Sequence, residues 1–164
     1  MSDAAFERAR LLAARGSHAE ALSVLDAILA DAPEHVGALL LKAGVLLESR
    51  EAELALALCE QAVGLAPHSA EAANAEARCL HALARDEEAL TIAERARGLL
   101  SQSDNARFAA PVYLTLVWCL RELRRYREAL EAAEEGLART PDAVLAHWAS
   151  AVEEELAQAQ KEEC

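Results

Sequence analysis

Alanine and leucine recur three and four residues apart along most of the chain, with charged residues filling the gaps. Residues at those intervals stack on one side of a helical turn, so the pattern predicts helices with one apolar face. The stretch from Arg125 to Pro141 shows it most plainly, and its proline closes the helix. Upstream, Phe6, Ala9, Leu12 and Ala13 form one stripe, which Gly16 ends as a C-terminal cap. Ala21, Leu22, Leu25 and Ile28 form the next, beginning after Ser17-His18 and stopping before Pro33. Further helices are predicted over the run from Ala38 to Leu47, then over Ala52–Leu65, Ala72–Leu83, Glu87–Leu99, Val112–Leu123, Tyr126–Arg139 and Ala143–Lys161. The Ala38–Leu47 run is apolar almost all round and needs cover on more than one side.

The pattern also repeats at long range. Ala21, Ala55 and Ala89 fall 34 residues apart, and Pro33 and Pro67 keep the same interval. From Ala89 to Ala129 the interval is 40, and the surplus is assigned to a polar loop at Ser101–Asn105 with a first turn near Arg107. Pro111 limits how far upstream the next helix begins. A period of 34 with a small residue and a closing proline at fixed offsets resembles the tetratricopeptide repeat family. The resemblance implies an all-α fold, an α-solenoid of four helical hairpins plus a C-terminal capping helix, wound as a right-handed superhelix. The repeats would be residues 2–35, 36–69, 70–103 and 110–143, with the cap at 143–161, all in one domain spanning 1–164. The polar tail from Glu153 to Glu163 suits a solvating cap. Some family features are missing: the early aromatic of the first helix appears only as Tyr113, and the turn aromatic only as Tyr126.

Composition narrows the function. Sixteen basic against 28 acidic residues give a net charge of -12. A nucleic-acid binder needs a basic face to displace counterions from phosphate, and an anionic membrane surface asks for the same. The charge therefore argues against both partners. No leader-like start or membrane-length apolar run is present, and a cytoplasmic location is expected. Cys59, Cys79, Cys119 and Cys164 are scattered with no Cys-x-x-Cys pair, so the first three are read as small core residues and Cys164 as an exposed thiol.

Catalytic chemistry finds no foothold. The five histidines include His35 and His68 in equivalent turns after Pro33 and Pro67, and no metalloprotease helix, phosphate loop or nucleophile elbow is present. The chain is read as a non-enzyme with no metal and no cofactor. The family resemblance implies instead a groove lined by the first helix of each hairpin. Carried onto this sequence, that groove takes Phe6 and Arg10 from the first unit, and Leu40, Leu41, Gly44 and Leu47 from the second. The third contributes Asn74, Arg78 and His81, the fourth Leu114, Thr115, Trp118 and Arg121, and the cap Trp148. The groove thus holds three arginines and both tryptophans of an acidic chain. Aromatic anchors and guanidinium forks suit a peptide or protein segment with acidic and apolar side chains. The Lys/Asn/Arg clamp by which some family members hold acidic C-terminal tails is missing, its places taken by Phe6, Arg10, Leu41, Gly37 and Ala75. The expected function is a protein-binding adaptor. The alternatives are a cytosolic chaperone for a secreted substrate, and a homo-oligomeric scaffold in which one cap docks into the next groove.

Overall fold

Alanine-rich helices bury little surface individually, so each must be covered by several neighbours. The computed structural model describes residues 2–100 and 106–162, and among them every regular element is helical. In order these are α1 (Ser2–Ala14), α2 (His18–Asp31), α3 (Val36–Glu48), α4 (Ala52–Leu65), α5 (Ala70–Ala82) and α6 (Asp86–Leu100). After them come a 3-10 turn at Ala106–Phe108, α7 (Ala109–Glu122), α8 (Tyr126–Arg139) and α9 (Ala143–Glu162). Consecutive helices pack on one another, and α1, α3, α5, α7 and α9 also touch in succession. Among the described residues no pair of even-numbered helices touches to a similar extent. The odd helices therefore form one continuous layer and the even helices a second layer behind it, which is a solenoid of helical hairpins.

The alanines that mark the repeat are packed inside the fold. Ala21, Ala55, Ala89 and Ala129 are all fully buried. Two hydrogen bonds between hairpins follow the same interval: Gln61 Nε2 donates to the Pro33 carbonyl at 3.4 Å, and Arg95 to the Pro67 carbonyl at 2.7 Å.

A repeat is also written in the backbone. Gly16, Arg50, Ala84 and Arg124, at equivalent places after α1, α3, α5 and α7, have φ of 74°, 64°, 56° and 58°. At each, two crossed hydrogen bonds close the helix, as in Ala84 N–H to the His81 carbonyl and Arg85 N–H to the Leu80 carbonyl, both 2.9 Å. This is the left-handed cap that glycine adopts at no steric cost, yet three of the four positions carry a side chain. Left-handed backbone costs an L-residue about 1–2 kcal/mol. Ala84 is exposed and loses no packing if trimmed. Ala84→Gly is therefore expected to raise the unfolding free energy by about 1 kcal/mol in urea titrations. No gain would contradict this account of the turn.

Two boundaries differ from the sequence reading. α7 starts at Ala109 rather than Val112, with Pro111 as its third residue. A proline in the first turn lacks only an N–H that has no helical partner in any case. The turn expected near Arg107 is the 3-10 segment; the Ser101–Asn105 loop and Cys164 lie outside the described residues. Among the described residues no helix is long and apolar enough to cross a membrane.

Candidate binding groove

The layer of odd helices is where the groove was expected, and its residues divide into covered and available ones. In the first unit, half-buried Phe6 rests on the His35 ring at 5.1 Å, and exposed Arg10 pairs with Glu7 on its own helix at 3.4 Å. In α3, Leu40 is 92% buried and joins the core, while Leu41, Gly44 and Leu47 remain half-exposed. Leu40 is therefore a packing residue rather than a lining one. Thr115 is a clearer correction: it is fully buried, and its hydroxyl donates to the Pro111 carbonyl at 3.0 Å. The reason is that α7 packs against α5, α6, α8 and α9, which leaves little of its circumference uncovered.

The remaining residues converge at the C-terminal half. Asn74, Arg78 and His81 lie three and four residues apart along α5, so they share one face. The Trp118 indole of α7 stacks on the His81 ring at 6.2 Å and meets Trp148 of α9 edge-on at 6.3 Å. Leu114, one turn before Trp118, is half-buried. Arg121 lies with its guanidinium carbon 5.4 Å from the Trp148 ring centre.

Electrostatics separates the arginines. Arg121 makes a forked contact with Glu155, its Nε and Nη2 donating at 2.8 and 2.6 Å, and a further bond to Glu122 at 3.1 Å. The hydrogen bonds to Glu155 push the Arg121 guanidinium pKa above its ordinary range. Arg78 is exposed and has no ion pair or hydrogen bond among the described residues. Among the described residues three buried side-chain atoms are also without a hydrogen-bond partner: Asn74 Oδ1, Glu76 Oε2 and Trp118 Nε1. A buried donor or acceptor left without a partner costs about 1–3 kcal/mol unless water or another group meets it.

The sequence reading missed two features. Glu155 belongs to a run expected to be solvated, yet it is half-buried on Arg121 while Glu153 and Glu154 are exposed. The turn between α7 and α8 also forms an open depression of about 400 Å³ against α9, lined by Arg124, Arg125, Arg127, Leu156 and Gln160 among others. It lies off the Asn74–Arg78–His81 face and does not share its residues.

The sequence profile of the tetratricopeptide repeat matches residues 6–70 and 114–161, more than half of the chain. The chain belongs to the tetratricopeptide repeat family. The gap in that match covers most of the third unit, where the closing proline is lost, yet α5 and α6 still pack as a tetratricopeptide hairpin. No curated protein matches the sequence. Among solved structures, the tetratricopeptide protein TTC0263 of Thermus thermophilus is similar with a TM-score of 0.84 at 18% identity, covering 95% of this chain and 83% of that one. YrrB, described as having an unusual peptide-binding site, gives a TM-score of 0.65 at 19% identity over 90% of this chain and 74% of its own. The TPR2B domain of yeast Sti1, solved as a complex with pHsp70, gives 0.65 at 20% identity over 72% and 98%. At these identities the likeness is one of fold.

Proposed function

We propose that this tetratricopeptide chain is a cytoplasmic, non-catalytic adaptor that holds a peptide or protein segment along the layer of odd helices. In this reading residues 1–164 form one domain of four hairpins with α9 as the cap. The observation that carries the proposal is the exposed Arg78, unpaired among the described residues, on the α5 face where His81 meets the Trp118–Trp148 pair. An extended segment supplies a carboxylate for the exposed Arg78 guanidinium. The rings of Trp118 and Trp148 then take an apolar side chain. A structural neighbour described as having a peptide-binding site and another solved as a complex with pHsp70 support the same use of the fold.

The test is selection of binders from a random peptide display library, followed by fluorescence anisotropy on the enriched sequences. Enrichment of acidic and apolar residues is expected, and Asn74→Ala with Arg78→Ala together should weaken binding by about tenfold or more. Equal affinity of the double variant would overturn the assignment. Light scattering against concentration addresses the alternatives: a monomer agrees with the adaptor, a fixed dimer with an export chaperone, and open-ended growth with a scaffold.

A further inference from the structure

His81 has a second neighbourhood besides the Trp118 ring. It lies in the last turn of α5, Asp86 opens α6, and Cys119 lies in the last turn of α7. One ring nitrogen of His81, one carboxylate oxygen of Asp86 and the Cys119 sulfur all lie within 4.8 Å of one another. His81 Nδ1 and Asp86 Oδ1 are hydrogen-bonded at 2.5 Å. Sequence separations of five and 33 residues conceal this cluster, because no local spacing motif covers it. We propose that His81, Asp86 and Cys119 form a three-ligand site for a divalent transition-metal ion of the zinc class.

The donor set fits that class. Thiolate, imidazole and carboxylate are the three side chains that zinc uses, and three protein ligands leave a fourth position for water or another ligand. Zinc held at its usual 2.0–2.3 Å from each donor spaces tetrahedral ligand atoms roughly 3.4–3.6 Å apart. The present separations run from 2.5 Å for the hydrogen-bonded pair to no more than 4.8 Å, so shifts of about 1 Å, within reach of side-chain rotation, assemble the site. The surroundings agree. Cys119 is fully buried, whereas His81 and Asp86 keep 26% and 17% of their side-chain surface exposed, which leaves a path for an ion and for its water. Arg85, next to Asp86 in sequence, is committed to Glu88 by a two-pronged contact at 2.8 and 2.7 Å and does not neutralise Asp86.

Binding is a proton exchange: the Cys119 thiol proton passes to buffer as the metal–sulfur bond forms, and the hydrogen between His81 Nδ1 and Asp86 gives way to the ion, the neutral imidazole keeping its proton on Nε2. Burial and the Asp86 charge push the Cys119 thiol up to about 12, so the metal must displace a held proton. The ligands come from both helices of the third hairpin and the first helix of the fourth. A bound ion would clamp the two hairpins together beneath Trp118.

The experiment uses the untagged, reduced full chain. Zinc titration by calorimetry should show one ion per chain and release of protons to buffer. Cobalt should develop a thiolate charge-transfer band that persists when Cys59 and Cys79 are both changed to Ala and is lost in Cys119→Ala. His81→Gln, at a half-exposed position that the fold tolerates, should weaken zinc by about tenfold or more, since losing a ligand costs at least what losing its orienting partner costs. Failure of the wild type to take up either metal in large excess would overturn the proposal. So would a cobalt band that follows Cys59 and Cys79, or zinc affinity unchanged in His81→Gln.

Discussion

Gly136→Ala is expected to destabilise the protein by about 1–3 kcal/mol, although alanine is the better helix former by about 1 kcal/mol. A Cβ at Gly136 would lie 2.7 Å from the Cβ and Cγ of Tyr113 and 2.6 Å from Leu145 Cδ2. Leu145 can swing its methyl away. Tyr113 cannot, because the contact falls at the root of its side chain, where it leaves the α7 backbone. The whole residue is buried, with its hydroxyl donating to Glu135 at 2.5 Å. The equivalent pairs in the other hairpins show how the space is shared. Leu39 corresponds to Tyr113 and Ala62 to Gly136 in the second unit, Ala73 and Ala96 in the third, Ala5 and Ile28 in the first. Wherever one helix brings a large side chain, its partner brings a small one, and the largest faces the glycine. Tyr113→Ala recreates the Ala73/Ala96 combination, removes the Cγ contact and leaves room for α7 to ease away at Cβ, and should relieve part of the Gly136→Ala cost. The double variant should be less destabilised than the sum of the single changes by about 1 kcal/mol or more in urea melts. Simple additivity would mean that the clash is absorbed elsewhere.

That pairing shows what could be read from the chain and what could not. The helices were legible because their stability rests on period and punctuation, which are local: Ala52–Leu65 and Tyr126–Arg139 agree with α4 and α8 to the residue. The left-handed caps at Arg50, Ala84 and Arg124 were not, because only Gly16 carries the residue that advertises such a backbone. There the crossed hydrogen bonds and the tertiary contact between helices overrule local preference. The start of α7 was misplaced for a related reason, a proline being read as a barrier when in the first turn it is no obstacle.

The site was legible in outline and obscure in detail. Helical spacing alone aligns Asn74, Arg78 and His81, and it also aligns Trp118 with Arg121. It says nothing of which charges are already satisfied. Arg121 meets Glu155 because 34 residues is one repeat period, which sets the two side chains at the same level of the neighbouring helices α7 and α9. Helical spacing is equally silent on Asp86 and Cys119 beside His81, a contact between hairpins with no trace in either local pattern. Arg121 and Glu155 make a half-buried fork of the strong kind, so Arg121 is offered to a partner only at the cost of breaking it. Arg78 carries no such cost, which shifts the expected centre of recognition toward α5.

Trp118→Ala should then have the largest effect on binding, weakening a selected peptide roughly 30-fold, about 2 kcal/mol, as for a central aromatic anchor. The indole joins the three parts of the surface: it stacks on His81 of α5, meets Trp148 of α9 edge-on, and holds a buried N–H with no acceptor. Its loss also costs folding energy, and because the side chain is half-buried this should be about 1–3 kcal/mol, below the range for a fully buried tryptophan. Trp118→Phe separates the two roles. A phenyl ring keeps most of the stacking on His81 and Trp148 and removes only the donor. If the N–H meets a peptide carbonyl, the phenylalanine variant should fold like wild type yet bind several-fold more weakly, about 1 kcal/mol. If Trp118 and Trp148 serve only to seat α9, both variants will bind as wild type wherever they remain folded. Anisotropy measured below the melting transition of each variant distinguishes these results, because it counts binding only in chains that retain the groove.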